Sequence, residues 1–100
     1  MRLGNVIGRV TLSQTVPALN GARWLIVSPL VRDQIPQALE PGGAMSKEPS
    51  LVVYDALGGG VGHTIGFIEG REAAMPFPQP TPIDALNAAL IDQIFYSPAP

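Results

Sequence analysis

Four glycines within five residues, Gly58, Gly59, Gly60 and Gly62, stand between two short β-prone runs, Leu51-Val52-Val53-Tyr54 and Thr64-Ile65-Gly66-Phe67-Ile68-Glu69. Such a run is costly inside a regular element, because glycine loses more backbone freedom on ordering than any other residue. It therefore predicts a turn between two strands, in which glycine adopts positive φ or lets a second backbone approach closely. A nucleotide cradle is excluded by spacing. A dinucleotide fingerprint needs glycines at relative positions one, three and six ahead of a helix, so that the helix N-terminus meets the pyrophosphate. Counted from Gly58 the sixth position is His63, and β-branched and aromatic residues follow. A phosphate-binding loop fails as well, since no Gly-Lys-Ser/Thr comes next.

The β signal extends to the N-terminal third. From Leu3 to Leu12 the chain alternates, with Val6, Gly8, Val10 and Leu12 on one side and Asn5, Ile7, Arg9 and Thr11 on the other, the period of a strand. Gly4 and Gly8 interrupt it, as at the corners of a small closed sheet. Asn20-Gly21 marks a reversal, and a second strand is expected over Ala22 to Val31, where Trp24, Leu25, Ile26 and Val27 stand in succession. Arg32 to Ser50 is rich in proline and charge and reads as a long surface connection. Gly70 to Pro80 is again irregular. Thr81 then suits an N-cap, Pro82 a first helical position and Asp84 a first turn, while Ile83, Leu86, Leu90 and Ile94 follow helical spacing. These features predict one short C-terminal helix, with Ile94, Phe95 and Tyr96 alternatively forming a final strand.

The length allows one domain, residues 1–97, with a frayed tail at 98–100. A chain of this size buries only about two-thirds of the surface its unfolded form exposes. Yet 46% of its residues are apolar and 14% are charged, so part of the apolar surface is expected to meet another subunit. Cysteine is absent, which removes both disulfide staples and thiolate chemistry and again favours oligomerisation. The net charge is −2, and the six basic residues, Arg2, Arg9, Arg23, Arg32, Lys47 and Arg71, are dispersed. No nucleic acid or anionic membrane is implied as a partner. No signal-peptide pattern or apolar run of about 18 residues is present, so a cytoplasmic protein is expected.

No catalytic constellation emerges. His63 is the only histidine, and a lone imidazole without cysteine does not make a zinc site within one chain. Asp55, Glu69, Glu72, Asp84 and Asp92 lack any pairing that would mark an acid or base. Ser13, Ser28, Ser46 and Ser50 lie in no Gly-x-Ser-x-Gly elbow. Trp24 reads as a core or interface anchor. No cofactor and no metal is expected, and the chain reads as a non-enzyme. The alternative is a ring-forming barrel that binds a small ligand or nucleic acid in the manner of oligonucleotide-binding folds.

The opening Met1-x-x-Gly4-x-Val6-x-Gly8-x-Val10, the Leu19-x-Gly21-x-x-x-Leu25 hairpin and Asp55-x-x-Gly58-Gly59-Gly60-Val61-Gly62 resemble the EutN/CcmL family of bacterial microcompartment vertex proteins. So do Glu69-Gly70-x-x-Ala73-Ala74 and Pro82-x-Asp84-Ala85 with Asp92 beyond it. The resemblance spans nearly the whole chain. It implies a mainly β fold, a small five-stranded OB-like barrel with a short helix, and a structural shell protein in carboxysome-like or metabolosome compartments. It also implies self-assembly as a homopentamer, with a hexamer as the alternative, and contact with hexagonal shell proteins. Asp55, Gly58, Gly59, Gly60, Gly62, His63 and Asp84 become candidates for the subunit interface or ring opening. Two positions depart from the family pattern. Gln14-Thr15-Val16 stands where a lysine is common, and His63 where an acidic residue commonly follows the glycine turn. If His63 lies near the ring axis, several imidazoles would meet there and make an opening sensitive to anions, metals or protons. Arg32 to Pro49 is a candidate elaboration facing other tiles.

Overall fold

The computed structural model describes residues 1–31 and 48–95. Five strands, β1 (Arg2–Val10), β2 (Arg23–Pro29), β3 (Leu51–Asp55), β4 (Thr64–Glu69) and β5 (Ala85–Leu90), close into a barrel in the order β1-β2-β3-β5-β4. All neighbours are antiparallel except β3 and β5, which run parallel through Tyr54 and Leu86. Residues 32–47, most of the connection read as a shell-facing elaboration, and residues 96–100, which include the tail expected at 98–100, lie outside the described residues. The expected Asn20-Gly21 reversal is present. Asn20 has φ −61° and ψ 132°, Gly21 has φ 79°, and Ala22 N–H donates to Leu19 O at 3.1 Å, the geometry of a type II turn.

The interior is filled by Val6, Leu25, Val27, Val53, Ile65, Phe67 and Ala85. Gly4 leaves the space that Phe67 and Val27 occupy, since a Cβ there would lie 3.0 Å from Phe67 Cε1 and closer still to Val27 Cγ1. Burying side chains of this kind contributes about 1.5–3 kcal/mol each, and their alternation along the strands fixes which face turns inward.

Simple alternation fails at two bulges, and both matter. In β1, Val6 pairs with Val27 but Gly8 pairs with Ile26, so Ile7 is an extra residue that reverses the parity of the strand. Val6 therefore faces the core, whereas Arg9, opposite the buried Leu25, takes the inward row at the barrel mouth. The single-sided row of Val6, Gly8, Val10 and Leu12 expected from the sequence is broken at that point. In β5, Gly66 pairs with Ala89 and Phe67 with Asn87, leaving Ala88 unpaired. Asn87 and Leu90 thus share the inward side.

The expected C-terminal helix is not formed. Residues Ala85–Leu90 are a strand, and among the described residues helical backbone is confined to 3-10 turns, including Pro17–Leu19 and Gly70–Ala74. Without β5 the edges of β3 and β4 would both stand open. One strand that pairs with each satisfies two rows of backbone groups. Helix propensity differs by less than about 1 kcal/mol per residue and is outweighed by that closure. The Gly70–Ala74 turn packs on β4 and β5 and buries Ala73. Ile94 and Phe95 belong to neither helix nor strand.

Candidate functional site

Asp55 ends β3 on the inward row, and its side chain is wholly buried. Oδ1 accepts from Leu57 N–H at 3.0 Å and Asn87 Nδ2 at 2.9 Å, and Oδ2 accepts from Gly58 N–H at 3.2 Å and Gly59 N–H at 2.9 Å. Arg23, paired with Asp55 across β2 and β3, places Nη1 3.3 Å from Oδ2 and donates from Nη2 to Gly59 O at 3.0 Å. A buried carboxylate is costly unless its charge and lone pairs are matched. Here the roughly four acceptor sites of a carboxylate meet four hydrogen-bond donors and a guanidinium. No acceptor is left for a substrate, so Asp55 works as the anchor of the turn and not as an acid or base.

The anchored segment folds over the barrel mouth. Gly59 is buried there, and a Cβ would lie 3.0 Å from Leu25 Cδ1 and 3.3 Å from Asn87 Nδ2. Gly58 and Gly62 have φ of 85° and 95°, a region that residues with side chains adopt only at a cost. Gly60 differs from both in that its φ is not positive, and, as at Gly62, a Cβ built on it meets nothing within 4 Å.

His63 closes the turn. Its N–H donates to Gly60 O at 3.0 Å, its Nδ1 accepts from Gly60 N–H at 3.0 Å, and its carbonyl accepts from Val6 N–H at 2.9 Å. Gly62 N–H donates to Val6 O at 3.2 Å, tying the turn to β1. Acceptance at Nδ1 assigns the imidazole proton to Nε2. A metal at Nε2 would need that proton moved to Nδ1, and protonation would fill Nδ1 directly. Either event removes the Gly60 bond. This geometry makes the imidazole a lock on the turn.

Of the seven sequence candidates, the fold joins Asp55, Gly58 and Gly59 through one carboxylate and Gly60, Gly62 and His63 through one turn. Asp84 is separate. Its carbonyl accepts from Gly70 N–H at 2.9 Å beside the Ala85–Glu69 pair, the length of β4 away from Thr64. Sequence reasoning missed Arg9, Arg23 and Asn87. Their signal was register: a basic residue opposite Asp55, and an amide two residues past the inward Ala85. Around this mouth Leu57, Val61 and Leu90 remain 48%, 70% and 43% exposed, an apolar rim suited to protein contact. The departure at 14–16 lies on the exposed β1–β2 connection, where Val16 O accepts from Leu19 N–H.

Comparison with known proteins agrees on the fold. The family model for ethanolamine utilisation protein EutN/carboxysome matches residues 1–92. The pentameric microcompartment shell protein GrpN from Rhodospirillum rubrum superposes with a TM-score of 0.77 at 25% identity, over 97% of this chain and 100% of that one. A pentameric shell protein of the RMM microcompartment gives 0.73 at 27% identity, over 99% and 100%. CcmL from Gloeobacter violaceus gives 0.74 at 23% identity, over 96% and 90%, a likeness of fold. No curated protein sequence matches significantly.

Proposed function

From the premise that the chain belongs to the EutN/CcmL family, we propose that it is a structural shell protein of a bacterial microcompartment, assembling as a homopentamer that caps five-fold vertices. The observation that carries this reading is end-to-end correspondence with a pentameric microcompartment shell protein, including the whole of that chain. The mechanism is geometric. Six-fold tiles alone make flat sheets, and a five-fold unit introduces the curvature that closes a polyhedron. In such a ring each copy offers one surface to one neighbour and a different surface to the other, and the rotation between the two surfaces sets the closure.

The monomer's surface fits this role. Met1, Val61, Met75 and Phe95 are 76%, 70%, 77% and 89% exposed, more apolar display than a small isolated barrel needs. The Gly58–Gly62 turn, held rigid by Asp55 and His63, then supplies a shaped backbone edge to a neighbour or to the ring opening, and Asp84 a polar contact at the other end of the barrel. Hexagonal shell proteins are the further partners, and the shell of a cytoplasmic compartment is the location. The role is architectural, with no catalytic step.

Native mass spectrometry of the full chain tests the proposal. A pentamer is expected, and a stable monomer overturns it. A hexamer would keep the family fold while removing the vertex role. Co-assembly with hexagonal shell proteins, read by electron microscopy as closed polyhedra in place of sheets or open tubes, tests the second step.

A further inference from the structure

We propose that the barrel mouth beside the glycine turn is a binding site for a small oxyanion, a phosphate or carboxylate group on a compact molecule, with Arg9 and Arg23 as its cationic walls. A cleft of about 260 Å³ opens there, lined by both arginines, Leu25 and residues 59–61. This reading requires that the ring leave the Arg9–Arg23 side of the glycine turn open.

Three observations carry it. First, the Ile7 bulge puts Arg9 on the inward row over Leu25; without it the side chain would stand on the outer face. Second, the charges at this mouth do not cancel. Asp55 is enclosed and its oxygens are occupied by Leu57, Gly58, Gly59, Asn87 and Arg23. Among the described residues Arg9 has no carboxylate partner, whereas Arg2, the other arginine of β1, pairs with Glu69 at 2.8 Å. Two arginines against one matched carboxylate leave this mouth of an acidic chain net positive. Third, Arg23 is already oriented: Nη1 on Asp55 and Nη2 on Gly59 O hold the guanidinium plane, while its side chain remains 46% exposed. A held guanidinium loses little further freedom when it takes a bidentate oxyanion.

At about 260 Å³ the cleft is smaller than the roughly 300–1,000 Å³ of ordinary small-ligand pockets, and Leu25 and Val61 add apolar contact to the polar walls. These features select a compact anion over a dinucleotide or a polymer.

The test uses the full chain in its native assembly, titrated separately with inorganic phosphate and with acetate while the Gly59, Gly60 and Val61 amides and the arginine Nε–H groups are followed by NMR. Saturable shifts are expected at these amides, and the tighter of the two probes identifies the ligand's anionic group. Arg9→Gln, on an exposed side chain, should weaken binding by about tenfold, while Arg71→Gln on the distant 3-10 turn leaves it unchanged. Equal affinity in wild type and Arg9→Gln overturns the site, as does the absence of saturation. Binding by dissociated chains but not by the ring also overturns it, because a neighbouring copy then fills the cleft. Native mass spectra of the same samples separate this result from the ring proposal: a monomer that binds phosphate through Arg9 refutes the pentamer and leaves the anion site standing.

Discussion

At the residue scale the molecule turns on one carboxylate. Asp55 reads from the sequence as a candidate for the subunit interface or ring opening, and its burial and its donors make it the anchor of the glycine turn. Its removal leaves three backbone N–H groups and the Asn87 amide without their acceptor. Asp55→Ala is therefore expected to lower unfolding free energy by about 2–3 kcal/mol, read as a lower urea midpoint with an unchanged slope. Asp55→Asn should cost nearly as much, because the new amide would point a donor at donors. A cost below about 0.5 kcal/mol for either variant would mean that the glycine turn holds itself. His63 illustrates the same lesson: read alone it is a candidate for the ring opening, and its hydrogen bond to Gly60 makes it part of the turn.

At the element scale the informative case is β5. Residues 81–94 carry a cap, a first-turn proline, a first-turn carboxylate and an apolar stripe, all helical signals. The same stretch satisfies a strand once Asn87 and Leu90 are read as inward residues on either side of a bulge. A peptide of residues 81–94 is expected to show helical circular dichroism in trifluoroethanol. In the intact protein the backbone amides that pair β5 with β4 should be among the slowest to exchange. Fast exchange of those amides would contradict barrel closure through β5. Strands β1 to β4 were legible because their β-prone runs end at strong punctuation, Asn20-Gly21 and the glycine turn. Both bulges were hidden, since a bulge is defined by the partner strand and leaves no periodic trace in its own.

At the scale of the whole molecule, the proposal that the glycine turn meets a neighbouring subunit predicts that folding and assembly respond differently to changes in it. Gly60 has room for a side chain within the monomer and no positive φ, and Val61 is 70% exposed. Gly60→Val and Val61→Glu should therefore leave the melting temperature of the dissociated chain within a few degrees of wild type, while the pentamer yield in native mass spectra falls. Unaltered pentamer yield in both variants would move the subunit contact away from this end of the barrel. Loss of the monomer fold would show that the turn, and not the ring, needs Gly60.

The sequence by itself determined that this is a small β protein with a sharp glycine turn, no thiol chemistry and no nucleotide fingerprint. Those properties follow from local residue types and spacing, which act over a few residues. Its ordered motifs also pointed to the shell-protein family. What only the tertiary structure decided depends on which strands pair and in what register. Closure of the barrel made a strand of a helix-like segment, because two open edges outweigh local propensity. The bulge at Ile7 carried Arg9 to the mouth, and pairing of β2 with β3 set Arg23 against Asp55. Asp55 and His63 hold the glycine turn from within a few residues of it, whereas Arg9, Arg23 and Asn87 come from distant strands, and only the closed sheet brings them there.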